Sequence, residues 1–450
     1  MHRRAGSNPL SAIRLSAIPL ATILAAGLLA VAPAVADTTP PPAPAPSILS
    51  PTVQREPRPT PEGVRSAIGR LVKRDLARAS VIVLDPASSS VLFDQRGSKP
   101  RIPASTAKLA TAAAALEVLG AGTTIPTIAY RDGDTVYLVG GGDPTLVRGK
   151  KRDTIDNGRA SLTALAKAVA EDYGTQRAIT VIYDASAFTG PALGPGWKSS
   201  FPSAGVAAPV SALVLDGGRV RPGASSRVTD PARQAAKDFS ALLKSQGLKV
   251  KKTRKGALAA SATEVARVES PPVVEIVEGF LTDSDNNYAE ALAHLVGGKL
   301  LGDPSFAGGA QATVQVLAEA GLPIAGLTLV DGSGLSRRNL IPPALLAELL
   351  SDVVVGQDAD LTPIGSSLAI AGFTGTLESR FGTAATADGR GFVHAKTGTL
   401  TGVTSLAGTV LDAEGRTLVF AMIDDKVKSI GKARATMDTI AATLATCGCD

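Results

Sequence analysis

The chain has 450 residues, of which 44% are hydrophobic and 19% charged, enough for a large core or two domains and too apolar for a disordered protein. Its formal charge of +6 falls to +3 once residues 1–36 are set aside, because they hold Arg3, Arg4 and Arg14 and no acid. An excess of 43 bases over 40 acids argues against nucleic acid or any other polyanion as partner.

In chain order, the basic start is followed by the apolar run "LSAIPLATILAAGLLAVA" and then Ala34-Val35-Ala36, a small-x-small cleavage pattern. This predicts a signal peptide over residues 1–36, with Pro19 and Pro33 favouring removal. An uncleaved membrane anchor is the alternative, since the run is near the lower limit for spanning. Either reading makes the remainder extracytoplasmic, and with no cysteine near the site a lipid anchor there is excluded. Residues 37–63 are a Pro-rich linker too poor in apolar residues to fold alone.

From residue 64 the pattern is mixed α and β. A helix is expected over about 64–76, then a hairpin in which "ASVIVLD" and "SSVLFD" flank Pro86-Ala87-Ser88. Next comes "RIPASTAKLATAAAALEVLG", with Pro103 suited to a first helical turn and Gly120 to a C-cap. The helix between them is apolar all round, which implies burial. Ser105 and Lys108, three apart, share a face at its N-terminal end. Taken alone, Ser105 could be a cap and Lys108 could snorkel to solvent. The runs "DTVYLVG" and "AITVIYD" then read as strands. Ser284-Asp285-Asn286 stands before a periodic apolar helix, where an N-cap would serve, and Lys396-Thr397-Gly398-Thr399 ends a strand, where a turn would serve.

The order Ser-x-x-Lys, Ser-Asp-Asn, Lys-Thr-Gly resembles the signature of the active-site serine penicillin-recognising enzymes. The chemistry fits the residue types. Ser105 is the nucleophile and Lys108 its base, provided burial and the nearby Lys396 favour the neutral amine over its ordinary value near 10.4. Ser284 can relay a proton to the leaving amine, and the Asn286 amide can hold Lys108 and the substrate's peptide group. Lys396 supplies positive potential, and Thr397 and Thr399 supply hydroxyls for a terminal carboxylate. Gly398 is expected to keep the strand bare where substrate lies against it. The N–H groups of Ser105 and Thr399 would make the oxyanion hole. Of the histidines, His2 leaves with the signal, His294 packs on its helix, and His394, two before Lys396, is the one to watch.

The segments "GGGDPTL", "APVSALVLDGG", "DGSGLSR" and "GTLESRF" further resemble the D-alanyl-D-alanine carboxypeptidase/endopeptidase family, the class C low-molecular-mass penicillin-binding proteins. The resemblance covers nearly everything after the linker. It implies an α/β (α+β) penicillin-binding/β-lactamase-like transpeptidase fold, an antiparallel sheet flanked by helices, split by an inserted β-rich subdomain. The two motif serines lie 179 residues apart, so the insert is placed at 123–268, between penicillin-binding segments 64–122 and 269–450. The implied activity is cleavage of peptidoglycan stem peptides through an acyl-enzyme on Ser105, with β-lactams as covalent inhibitors and no cofactor or metal. Family likeness makes Asp184 in "VIYDASAF" a candidate for the amino end of the stem-peptide side chain, against a surface turn, and Trp197 could line the same cleft or a core. "AMIDDKVK" carries acids where relatives carry asparagines. A class A β-lactamase would need Glu-x-x-Leu-Asn, and the nearest string, "EAGLP" from Glu319, ends in proline. A non-catalytic wall-binding protein would have lost Ser105, Lys108 or Lys396. Cys447 and Cys449 are too few for a zinc site and too close for an unstrained bridge, so no catalytic role is expected of them.

Overall fold

Thr60 sets the first helix. In this computed structural model, which describes residues 59–149, 155–156 and 158–449, its hydroxyl accepts from the Gly63 N–H at 3.0 Å and caps α1 (Pro61–Asp75). Val64, Ile68 and Val72, at helical spacing, are buried. The helix starts three residues before the expected 64 because a threonine cap and a proline in the first turn are both compatible with helix. The signal segment, and the linker as far as residue 58, lie outside the described residues. The hairpin follows as β1 (Ser80–Asp85) and β2 (Ser90–Gln95). A 3-10 turn over Ala104–Ala107 leads into α2 (Lys108–Leu119), of which only Glu117 and Val118 are not buried.

The next elements form a lobe of their own: β3 (Pro126–Asp132), β4 (Thr135–Gly140), β5 (Ile155–Asp156), β6 (Arg159–Ala160), α3 (Leu162–Tyr173), β7 (Ala178–Asp184), α4 (Pro231–Ser245), β8 (Lys249–Lys255) and β9 (Thr263–Glu269). Five strands make a mixed sheet in the order β8-β7-β4-β3-β9. "DTVYLVG" and "AITVIYD" become β4 and β7, which pair in parallel, so a crossover must join them, and α3 supplies it. Helices α3 and α4 close the lobe core around Leu138, Val181, Phe239 and Leu243, so the lobe carries a helical layer as well as its strands. Its outer edge, β8, is rich in exposed lysine, which discourages further strand pairing.

The chain then runs through α5 (Val273–Thr282), α6 (Asn286–Leu301), α7 (Phe306–Glu319), α8 (Pro343–Val355) and the short α9 (Pro363–Ser366). It ends with β10 (Ala369–Ile370), β11 (Val393–Leu400), β12 (Val403–Leu411), β13 (Thr417–Asp424) and α10 (Ile430–Ala445). The main sheet is antiparallel throughout, in the order β10-β11-β12-β13-β1-β2. The early hairpin thus pairs with the last strand, Ser80 opposite Ile423. Both β1 and β13 are covered on two faces, by α1 and α10 on one side and by α2 and α8 on the other, hence their unbroken apolar runs.

Two features depart from expectation. Cys447 and Cys449 are joined as a disulfide with Cα atoms 4.9 Å apart. Cys449 adopts φ +43°, and its carbonyl accepts from the Thr60 N–H at 2.6 Å, so the C-terminus clasps the start of α1. The acids of "AMIDDKVK" also have a purpose. Asp425 pairs with Arg101 at 2.8 Å, and Arg101, 4% exposed, also donates from Nε to Ser80 Oγ at 3.0 Å. This pair ties the segment leading to Ser105 to the end of β13. Among the described residues no helix is long and apolar enough to cross a membrane, and no cluster of three or more His, Cys, Asp or Glu is placed to hold a metal.

Asp425→Ala leaves Arg101 buried and unpaired, so chemical denaturation should show a loss of about 3 kcal/mol. Asp425→Asn, which keeps an acceptor, should lose less. Equal stability of Asp425→Ala and wild type would mean the pair does not hold this segment.

Candidate active site

The turn before the nucleophile is strained. Ala104 has φ +49°, and the backbone at Gly334 (φ +81°) passes so close that a Cβ there would overlap the Ala104 carbonyl. Non-glycine residues take this conformation only where the surroundings impose it. The 3-10 turn then aims Ser105 into a cleft of about 250 Å³ that it shares with Ser284, Thr376, Thr397 and Thr399.

One helical step on, Lys108 is fully buried. Its Nζ donates to Asn286 Oδ1 at 2.7 Å, to the Ser333 carbonyl at 2.7 Å and to Ser105 Oγ at 3.3 Å. Burial lowers its pKa from near 10.5 to about 8, against the pull of the Glu290, Asp285 and Asp331 carboxylates. The amine is therefore held on the serine oxygen by two further acceptors while its proton is loosened.

The Ser333 carbonyl among them is set by buried acids that sequence reasoning missed. Glu290, one turn after Asn286 on α6 and fully buried, accepts from the N–H groups of Gly332 (3.0 Å) and Ser333 (2.8 Å). Burial first and the Asp331 charge second push its carboxyl above the usual range. Asp331 accepts from Gly334 N–H, Ser336 N–H, Asn339 Nδ2 and Trp197 Nε1, all within 2.9 Å. Trp197 thus holds the "DGSGLSR" loop and packs edge-on against Phe306, between core and loop. The only signal in the sequence was the "DGSGLSR" loop itself, which carries the family resemblance but does not show that Asp331 is buried.

Asp285 caps α6 through the N–H groups of Asn287 (2.8 Å) and Tyr288 (3.1 Å). The capping reading of that motif therefore holds for the aspartate. It leaves its neighbours facing the cleft: Ser284, at φ +63°, lines it beside Ser105, and Asn286 reaches Lys108. The Asn286 amide nitrogen donates to the Val206 carbonyl of the lobe at 2.8 Å, so one of its two hydrogens is already committed.

On β11, Lys396 is fully buried and donates to the Thr397 carbonyl at 3.1 Å. Burial, then the Lys108 charge, drives its pKa well below the ordinary lysine value, with Asp283 opposing. The repulsion between the two amines is mutual and adds to burial in favouring loss of a proton from the pair. Thr397 donates to Thr376 Oγ1 at 2.8 Å, which gives "GTLESRF" its place, and Arg434 of α10 donates to Thr399 Oγ1 at 3.2 Å. Arg434 was not foreseen because nothing nearby in sequence marks it.

Gly398 faces away from the expected side. A Cβ there would overlap Ser405 Oγ and lie 2.8 Å from the Pro103 carbonyl and 3.0 Å from the Ser105 nitrogen. Its bareness makes room for the nucleophile turn behind the strand, not for substrate in front. Among the described residues, β10 pairs β11 only at His394 and Ala395, so that edge is open from Lys396 onward.

Other candidates lie elsewhere. Asp184 ends β7 with its oxygens taken by the N–H groups of Ser186 and Leu258, each at 2.8 Å, and is not among the residues lining the cleft at Ser105. It ties a lobe strand to a lobe loop. His294 packs on Phe188 and Phe306, and burial holds it neutral, its pKa down at about 4. His394 Nε2 meets the Gly391 carbonyl at 3.2 Å, outside the cleft. Glu319 ends α7 and accepts from Gln315 at 2.8 Å, as a helix end and not as a base beside Ser105.

Known proteins resemble this chain over most of its length. The profile of the D-Ala-D-Ala carboxypeptidase 3 (S13) family matches residues 69–226 and 221–446. A "Carboxypeptidase DacB" of Mycolicibacterium smegmatis is 35% identical over 96% of this chain and 95% of its own. A "D-alanyl-D-alanine carboxypeptidase" of an Actinomadura species is 32% identical over 82% and 81%. The crystal structure of penicillin binding protein 4 from Haemophilus influenzae superposes with a TM-score of 0.72 at 22% identity, over 84% of this chain and 98% of that one, which shows the fold.

Two outcomes follow from the geometry. The neutral form of Lys108 is the base-competent one, so acylation of Ser105 by a labelled ester should rise about tenfold per pH unit and level off above about pH 8. A flat profile from pH 6 to 9 would remove Lys108 as base. Gly398→Ala should push β11 off the nucleophile turn and slow acylation about a hundredfold, the scale of a 1 Å misplacement, while circular dichroism stays native.

Proposed function

Because the chain belongs to the D-Ala-D-Ala carboxypeptidase 3 (S13) family, and with it is a serine-type peptidase acting on peptidoglycan, we propose that it works outside the cytoplasm, releasing terminal D-alanine through an acyl-enzyme on Ser105. One observation carries the proposal: a wholly buried lysine amine held on Ser105 by an asparagine and a backbone carbonyl.

The stem peptide adds as a strand along the open edge of β11, which orients the scissile carbonyl over Ser105. Lys108 takes the Ser105 proton as Oγ attacks, and the N–H groups of Ser105 and Thr399 receive the developing oxyanion. The lysine's proton passes by way of Ser284 to the leaving D-alanine amine, and a water then cleaves the ester. The substrate's terminal carboxylate meets Thr397, Thr399 and Arg434. Its charge favours protonated Lys396, reversing the effect of burial at the moment of binding. A β-lactam supplies a similar carboxylate and acyl carbon, so it stops the enzyme as an ester on Ser105. Crosslinks with a carboxylate beside the scissile bond would be cleaved by the same steps. Residues 1–36 provide the export signal.

The β-lactamase reading lacks a base at Glu319, and the non-catalytic reading conflicts with Ser105, Lys108, Asn286 and Lys396 all being in place.

Labelled penicillin should modify Ser105 in a mapped peptide and not modify Ser105→Ala. Lys108→Arg should abolish labelling, because a guanidinium stays protonated. Label on another residue overturns the proposal. Arg434→Gln should lower kcat/KM for D-alanine release about tenfold, mainly through KM, as expected for one charge-assisted hydrogen bond. An unchanged KM would remove Arg434 from carboxylate recognition.

A further inference from the structure

Away from the cleft, the outer edge of the lobe gathers charge of one sign. Strand β8 carries Lys249, Lys251, Lys252, Arg254 and Lys255, and all five are exposed. A strand of 7 residues spans about 20 Å, so the edge presents these cations at close intervals. No acid occurs in the sequence from 239 to 263. Among the described residues none of the five has an ion-pair partner. Asp184 is near enough to feel Lys255, but burial and the bonds from Ser186 and Leu258 weigh more on it. None of the five lines the cleft at Ser105. Of the 43 bases after residue 36 these are five, and the other 38 face 40 acids, so the near-neutral balance of the whole chain conceals this edge.

Edge protection does not account for so many cations. Strand β8 already has a bulge: Ile179 pairs with Val250 and Thr180 with Lys252, so Lys251 is the extra residue. A bulge by itself stops a further strand from pairing. The opposite edge, β9, shows that a neutralised edge serves. Its Arg267 pairs with Glu264 at 2.6 Å and with Glu269 at 3.4 Å, both on the same strand. On β8 the register puts Lys249, Lys252 and Arg254 on one face, beside Ala178, Thr180 and Ile182 of β7, while Lys255 leaves from the other. The charge therefore surrounds the edge. Like charges crowded on one strand repel, and a bound polyanion would relieve that repulsion.

We propose that β8 docks a linear phosphodiester polymer of the cell envelope and so holds the enzyme beside peptidoglycan. The proposal goes beyond the peptidase reading and does not depend on the cleft. A linear array of cations suits a linear polymer. A membrane surface would also need apolar groups to insert, and among the described residues none of the exposed large hydrophobic side chains is on β8. Four of the five cations are lysines, which engage phosphate as point charges, whereas recognition of a carboxylate favours the planar fork of arginine.

The test measures binding of the full chain to soluble poly(glycerol phosphate) as salt is varied. Binding should weaken steeply with salt, and K251Q/K252Q/R254Q should lose roughly tenfold in affinity at low salt, the scale of three exposed ion pairs. Its log–log salt slope should fall by about 2, since each cation contributes about 0.7 on a single-stranded polyanion. R65Q/R70Q/K73Q, which removes as many exposed charges from α1, should bind like wild type. Penicillin labelling of Ser105 should be unchanged in both variants, and its failure in wild type would sink the peptidase reading while leaving the docking result standing. Should the first variant fail to fold by circular dichroism, K251Q, K252Q and R254Q singly decide, each expected to lose about twofold. No binding by wild type, or equal losses from β8 and α1, overturns the proposal. Tighter binding to vesicles of anionic lipid, or to polyglutamate, overturns it in favour of a membrane or a carboxylate polymer.

Discussion

A lysine amine sealed from water must find acceptors or lose its proton, and this structure makes Lys108 do part of each. Its acceptors come from three places: the nucleophile on its own helix, Asn286 at the start of α6, and the Ser333 carbonyl. None can move without leaving a buried donor unpaired, which costs more than an ordinary hydrogen bond returns. Helix α2, helix α6 and the 331–336 loop are therefore locked to one point. The acids behind that point, Glu290 and Asp331, serve as acceptors for backbone N–H groups and not as ion-pair partners. They hold the carbonyl in place without clamping the lysine as a permanent cation.

The same centre explains the chain's path. The nucleophile lies between the first hairpin and the lobe, while β11 comes almost 300 residues later. Pairing β1 with β13 brings the two halves together, and Arg101 with Asp425 secures the joint next to Ser105. Strand β11 then approaches the nucleophile turn closely enough that only glycine fits at 398. The Ser405 hydroxyl, donating to the Pro103 carbonyl at 2.6 Å, fastens the next strand to the same turn.

The lobe is part of this machinery. Val206 holds the Asn286 amide, Ala208 exchanges two hydrogen bonds with Asn287, and Trp197 holds Asp331. The inserted segment thus fixes the orientation of groups that touch the lysine. It also contributes Arg159, Asp216, Arg219 and Arg227 to the wall of a cavity of about 610 Å³ that borders Ser284 and Asn286.

Local sequence was enough for the hairpin, for the wholly apolar α2, for the family and for the three motifs. The hairpin, α2 and each single motif lie within about twenty residues, where helix and strand periodicity sets geometry directly, and the family was legible from the order of such short motifs along the chain. Ser105 and Lys108 share a face because of helical spacing alone. The inward turn of Gly398, the part of Glu290 and Asp331, the reach of Arg434 and the withdrawal of Asp184 into lobe backbone contacts were not legible there. Each depends on which distant segment passes close by: the Pro103 backbone behind Gly398, the Gly332 and Ser333 N–H groups beside Glu290, the Thr399 hydroxyl beside Arg434, the Leu258 N–H beside Asp184. A carboxylate or a glycine looks the same in a string whether it faces ligand or backbone. Only the packing of remote segments decides which, because burial and the nearest donor are properties of the folded neighbourhood and not of the residue.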